Sequence, residues 1–267
     1  MTEQSNPFQP PQADIDPVVE QYTGDLLEEP RAVPAGNGMQ WISDGWVLFK
    51  ANIGLWILMF LTLGALFIVA SMIPLLGMLA SWLFPIFMGG WMVACHRQHS
   101  EGEIKFEDLF SGFSEHFKPL AIAGLIYLGA NLVMMLVAGI FMAVMIGSMF
   151  AMNPDEAAMT AMGLGFVLFM LIILAVMIPI LMLIWFAPAL IVLQGVAPVD
   201  AMKMSFFGCL RNIIPFLIYG LVGMALFIVG AIPLFLGLLL VYPLLMCSIY
   251  PAYRDIFTAE EGTGLEG

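Results

Sequence analysis

The chain of 267 residues is 61% hydrophobic and 10% charged, against about 45–50% and 25% in an ordinary soluble domain, which excludes a soluble globular fold. Its 20 acidic and 8 basic residues give a formal net charge of −12, a balance that argues against nucleic acid or an anionic lipid surface as the main partner. No Asp, Glu, Lys or Arg falls between Lys50 and Arg97, Lys118 and Asp155, Glu156 and Asp200, or Arg211 and Arg254, and each gap is long enough to cross a bilayer with about 20 apolar residues.

Residues 1–38 carry seven acidic side chains against Arg31, together with six prolines. Such a composition predicts a disordered cytosolic tail. It holds no basic stretch followed by an apolar core, so no signal peptide is expected and the first hydrophobic segment reads as a retained anchor. The membrane domain is expected over residues 39–257, with a second short disordered tail over 258–267.

Three amphipathic helices are expected to lie in the interface, one before each hairpin. Trp41, Ile42, Trp46 and Phe49 share one arc of the first, with Ser43, Asp44 and Lys50 outside it. Phe106, Phe110, Phe113 and Phe117 follow the spacing of one helical face, with Glu107, Asp108, Ser111 and Glu115 on the other. Val199, Met202, Phe206 and Leu210 form a similar stripe opposite Asp200 and Ser205. Each helix ends on an apolar residue and a base, Phe49-Lys50, Phe117-Lys118 and Leu210-Arg211. That regularity reads either as a degenerate threefold repeat or as the snorkelling base that any span needs at its end.

The uncharged intervals read as three hairpins and six spans. The first covers residues 53–95 and turns at Pro74; the second covers 119–190 and turns at Asn153-Pro154-Asp155-Glu156; the third covers 213–250 and turns near Gly230-Ala231-Ile232-Pro233. The third is short enough that a re-entrant pair competes with two full spans. All eight Lys and Arg residues fall on one side of this threading, which predicts both termini in the cytoplasm.

Within the spans, Gly139, Ala143 and Gly147, and likewise Gly90 and Ala94, form small-residue ribbons that read as helix packing, with a dimerisation face as the alternative. Pro85, Pro179 and Pro215 are expected to bend their helices. Asn131 is the deepest polar side chain and is expected to bridge two helices, with substrate binding as the alternative; Thr62, Ser71 and Ser81 can bond within their own helices. Cys95, Cys209 and Cys247 form no paired motif, and no disulfide is expected. Cys95, His96, His99, Glu101 and Glu103 are the one cluster of metal-ligand types, at a spacing that matches no closed zinc pattern. Ser114, Glu115 and His116 are consecutive and point apart on a helix. The expectation is therefore no catalytic, cofactor-binding or metal site and no cofactor. The 22 methionines read as adaptable packing.

Trp41-Ile42-x-x-Gly45-Trp46-x-Leu48-Phe49, Leu109-Phe110-x-Gly112-Phe113 and Tyr253-Arg254-Asp255-Ile256-Phe257 resemble a family of uncharacterised six-span inner-membrane proteins of proteobacteria, over residues 33–257. Phe186-Ala187-Pro188-Ala189-Leu190 through Asp200-Ala201-x-Lys203-x-Ser205-Phe206 is similar to a segment in the membrane domain of bacterial glycerophosphodiester phosphodiesterases. This second resemblance implies a shared membrane scaffold and not the activity, since no phosphodiesterase catalytic domain is present.

The expected fold is an all-α polytopic membrane helix bundle. The leading expectation for function is a non-enzymatic inner-membrane scaffold or accessory subunit in envelope maintenance. Its partners are the lipid bilayer and, as candidates, other membrane proteins. The alternative is a carrier of an apolar or lipid substrate, favoured by a cavity lined with Met and Phe and open sideways to lipid. An enzyme would have to assemble its site from Asp108, Glu115, His116, His96 and Arg97.

Overall fold

The computed structural model describes residues 24–114, 116–152 and 156–259, the side chains of 74, 75, 78, 79, 81, 150–152 and 156–158 excepted. The expected tail residues 1–23 and 260–267, the turn at 153–155, Glu115 and the Ser81 side chain lie outside that description. The described chain is helical: α1 (Asn37–Ala51), α2 (Ile53–Ser71), α3 (Pro74–Glu101), a 3-10 helix (Phe106–Phe113), α4 (Phe117–Met152), α5 (Glu156–Ile184), α6 (Ala187–Gln194), α7 (Pro198–Arg211), α8 (Ile213–Ala231) and α9 (Leu238–Phe257). The all-α membrane bundle expected from composition is what forms.

Four stretches are long and apolar enough to cross a membrane: Ile53–Ser71, Phe117–Met149, Met159–Gln194 and Ile213–Ala231. The expected six crossings thus number four by length and composition among the described residues. α3 and α9, expected as the returning arms of the first and third hairpins, are not among the four. α9 carries Pro243 and Pro251 internally and Arg254 in its last turn.

The core gathers at one end of the bundle, where the helices that carry the charged residues meet. α6 is its centre: Ala187 to Leu193 are all buried, as expected of a short helix that is apolar on every side. It forms because α5 breaks at Trp185-Phe186, where Pro188 cannot continue the ladder. Gly195, at φ +64°, ends it in the left-handed conformation. Ser205 of α7 completes the break, donating to the Met182 carbonyl at 2.6 Å and accepting from Phe186 N–H at 2.9 Å.

The faces of the three amphipathic helices differ from the sequence reading in instructive ways. On α1 the buried set is Gly38, Trp41, Ile42, Gly45, Leu48 and Phe49. Trp46 is exposed, and Gly45 replaces it against α9, where an added Cβ would lie 2.6 Å from Ser248 Cα. On α7 the buried set is Ala201, Met202, Ser205, Gly208 and Cys209, while Val199 and Leu210 are exposed. Ser205, expected on the polar face, is inside because the helix break needs its hydroxyl. Between α3 and α4 the chain is 3-10 rather than α-helical. With three residues per turn, the buried side becomes Asp108, Leu109 and Gly112, and Phe110 and Phe113 are left partly exposed.

Residues 24–36, read from sequence as part of the acidic tail, lie as a strap across the end of α9. Leu27 and Arg31 donate their N–H groups to the carbonyls of Phe257 and Ile256 at 2.9 and 3.0 Å. Asn212, buried between α7 and α8, accepts from Val33 N–H at 2.8 Å and donates to the Arg31 carbonyl at 2.9 Å.

α4 and α5 stand apart from this base. The first turns of α4 pack on α3: Trp82 Nε1–H donates to the Ala121 carbonyl at 2.8 Å. Beyond Leu125 the exposed residues follow one another along both helices, and the two arms meet where Phe141 stacks on Phe169 at 3.7 Å. Gly139 and Gly147 have nothing within 4 Å of where a Cβ would be, so the ribbon expected to pack inside the bundle does not. Gly90 does: a Cβ there would sit 2.2 Å from the Leu109 carbonyl oxygen. Asn131 donates to the Tyr127 carbonyl of its own helix at 2.8 Å rather than to a second helix, the intrahelical bond open to such a side chain. Thr62 and Ser71 bond within their helices as expected.

Candidate functional site

The polar residues that could do chemistry sit in the base, and most are bonded to one another. Asp255, in the last turns of α9, accepts from Trp41 Nε1–H and Asn37 Nδ2–H at 2.8 Å each, and Arg31 reaches its carboxylate at 3.4 Å and its backbone carbonyl as well. One carboxylate thus fastens the strap and α1 to α9. Its neighbours in the Tyr253-Arg254-Asp255-Ile256-Phe257 run have equally definite places. Tyr253 accepts from Gln194 Nε2–H at 3.0 Å, Arg254 meets His99 of α3, and the Phe257 ring fills the space over Gly208 of α7.

Beside this cluster a cleft of about 470 Å³ opens between α1 and α9, with Asp44, His99, Arg254 and Asp255 among its walls and Val47 and Leu48 at its far end. Polar residues at one end and apolar residues at the other suit an amphiphile.

The residues singled out for metal or catalysis take separate partners. Arg97 forms an ion pair with Asp108 at 2.9 Å, and Asp108 also accepts from Lys105 N–H at 2.9 Å. Asp108 is 4% exposed and Arg97 28%, so a buried carboxylate and a partly exposed guanidinium fix the 3-10 helix to α3. His96 Nδ1 lies 2.9 Å from the Tyr250 hydroxyl. It sits just past Cys95, where the uncharged interval ends. Burial, with the nearby His99 and Arg254, brings its pKa down to about 4, Glu101 opposing, so the imidazole is neutral at physiological pH. Among the described residues no group of three or more His, Cys, Asp or Glu could hold a metal ion. Cys95, Cys209 and Cys247 are buried free thiols.

Two further cavities are apolar and partly open, one on each side of α8. One, of about 510 Å³, lies beside the Pro179 bend of α5 and is lined by Met182, Trp185, Phe216 and Leu217. The other, of about 390 Å³, lies between α8 and α9, with Met224, Phe227, Tyr242 and Met246. Trp185 belongs to both and packs edge-on against Phe216 at 6.0 Å and Tyr219 at 6.4 Å.

Sequence reasoning missed Asn212, Ser205 and Gln194, each a polar side chain within or beside an apolar run. Their signal was available: a buried polar group must find partners, so an isolated one in such a run marks a place where backbone groups are freed.

The profile of a domain of unknown function (DUF7847) matches residues 46–261. The chain is 29% identical over 255 residues to a "probable inner membrane protein" of Burkholderia thailandensis, covering 86% of this chain and 94% of that protein. No solved structure matches the chain. Neither match bears on the likeness of residues 186–206 to a phosphodiesterase membrane domain.

Proposed function

The chain belongs to the DUF7847 family, and from that premise we propose a non-catalytic integral inner-membrane protein that serves as a scaffold or accessory subunit in envelope maintenance. The proposal includes six crossings, with α3 and α9 as the returning arms, and both termini in the cytoplasm. The observation that carries it is the contrast between base and arm. The base is tied by buried hydrogen bonds and an ion pair, while α4 and α5, beyond their packing on α3, α6 and α7, leave most of their apolar side chains exposed within the described chain. A rigid support with an uncovered apolar arm suits holding another membrane protein, because helices in lipid associate by close packing rather than by hydrophobic drive. Photo-crosslinking residues placed singly at Leu136, Val144 and Leu168 test this in cells. Protein adducts of one discrete mass, confined to one face of the arm, are expected; lipid adducts alone at all three positions overturn the reading. Turnover of a phospholipid or nucleotide by the purified chain would overturn the non-catalytic part.

A second reading, a carrier of an apolar or lipid substrate, is favoured by the apolar grooves flanking α8, lined by Met and aromatic side chains. Trp185→Ala joins the two grooves. If the chain carries such a molecule, that substitution changes the amount of lipid co-purified in detergent; an unchanged amount speaks for the scaffold.

A further inference from the structure

Two formal charges in the cleft between α1 and α9 meet no opposite charge among the described residues. Asp255 is spent on Arg31, Asn37 and Trp41. The Arg254 guanidinium meets His99, and among the described residues no carboxylate is within ion-pair distance of it. Across the cleft Asp44 accepts from Gln40 Nε2–H at 2.8 Å, and among the described residues no cation reaches it. Both side chains line the same cavity and both are partly exposed, so each is accessible to a ligand group of opposite charge. One cation and one anion left open in one cleft match a ligand that carries both signs.

The depth of the cleft narrows the ligand further. Val47 and Leu48 are its last lining residues along α1, and α2, a candidate span, begins at Ile53 just beyond them. The cleft therefore opens where a span enters the bilayer, at the level of lipid headgroups. We propose that it binds the headgroup of a zwitterionic phospholipid, a phosphodiester bearing a primary ammonium. The phosphate sits on Arg254 beside His99, since a guanidinium is the side chain suited to phosphate oxygens. The ammonium sits on Asp44, and the first carbons of the lipid tails lie on Val47 and Leu48. The same headgroup chemistry exists in a soluble glycerophosphodiester; the apolar end of the cleft assigns it to the membrane lipid. This inference requires only the membrane placement of the chain, so its failure leaves the scaffold reading standing.

The full chain, purified in detergent, is titrated with short-chain phosphatidylethanolamine, short-chain phosphatidylglycerol and glycerophosphoethanolamine, and bound molecules are counted by native mass spectrometry. One phosphatidylethanolamine is expected, held at least tenfold more tightly than either competitor. Arg254→Gln and Asp44→Asn should each weaken it about tenfold, the order expected for one charge-assisted hydrogen bond, and Asp44→Asn, which keeps an acceptor for Gln40, should leave the ligand-free thermal midpoint unmoved. Val47→Trp fills the apolar end without altering a charge and should weaken binding too, which keeps a readout should a charge variant fold poorly. Equal binding of phosphatidylglycerol, or an Asp44→Asn variant that binds as before, overturns the zwitterionic assignment. Glycerophosphoethanolamine binding as tightly as the lipid overturns the membrane source.

Discussion

Ser205 satisfies two backbone groups that no helix can, the Met182 carbonyl and the Phe186 N–H at the α5–α6 break. Ser205→Ala leaves both unpaired in a fully buried place, and the thermal midpoint in detergent should fall by the equivalent of about 1–3 kcal/mol. Asp108→Ala removes the carboxylate that Arg97 and Lys105 N–H share, but Arg97 is 28% exposed and keeps Glu101 at 3.9 Å, so a similar cost of about 1–3 kcal/mol is expected. Chemical denaturation of the two variants side by side checks both values. His96 supplies the pH dependence. Its pKa is brought below the ordinary value of 6.5 to about 4, so the unfolded chain binds the proton more readily. Its contribution is complete above about pH 6.5 and is lost as pH falls through the window down to about 4. Between pH 7.5 and 5 stability should drop by about 2 kcal/mol from this residue; His96→Asn should flatten that part of the profile, and an unchanged slope would assign it elsewhere.

Among elements, close approach separates the glycines that matter from those that do not. Gly45, Gly90 and Gly112 each face backbone, with an added Cβ at 2.6 Å from Ser248 Cα and at 2.2 Å from the carbonyl oxygens of Leu109 and Ile86. Alanine at any of the three forces helices apart and should cost about 1–3 kcal/mol. Gly139→Ala and Gly147→Ala, in open surroundings, should be neutral or slightly stabilising in the isolated chain through helix propensity. Thermal midpoints of the five variants test the division. The motifs containing Gly45 and Gly112 were legible in sequence as a resemblance. What they do was not, because a glycine in a motif does not say which backbone it meets. The 3-10 helix shows the complementary difficulty: the phenylalanine spacing fits an α-helical face, and a change from 3.6 to 3.0 residues per turn reassigns every face.

At the scale of the molecule, α4 has 36 residues and α5 has 29, about 54 and 44 Å at 1.5 Å per residue. A hydrocarbon layer of about 30 Å cannot cover them upright, so the arm tilts, projects beyond the layer or packs against another protein. Cysteine labelling reads the threading directly. A cysteine at position 155 should react from outside the cell and one at position 103 only after permeabilisation; the reverse pattern would invert the topology. The helical class and the membrane character were decided by the sequence alone, because long uncharged apolar runs have one inexpensive environment and each base must stay near water. Only the tertiary structure decided which polar side chains are spent and which are open. Asp255, Asn212 and Ser205 take partners far away in the chain, and a hydrogen bond between distant segments leaves no periodic trace in either. The cleft beside Arg254 is of the same kind, an arrangement of α1, α3 and α9 that exists once the strap and Asp255 have drawn them together.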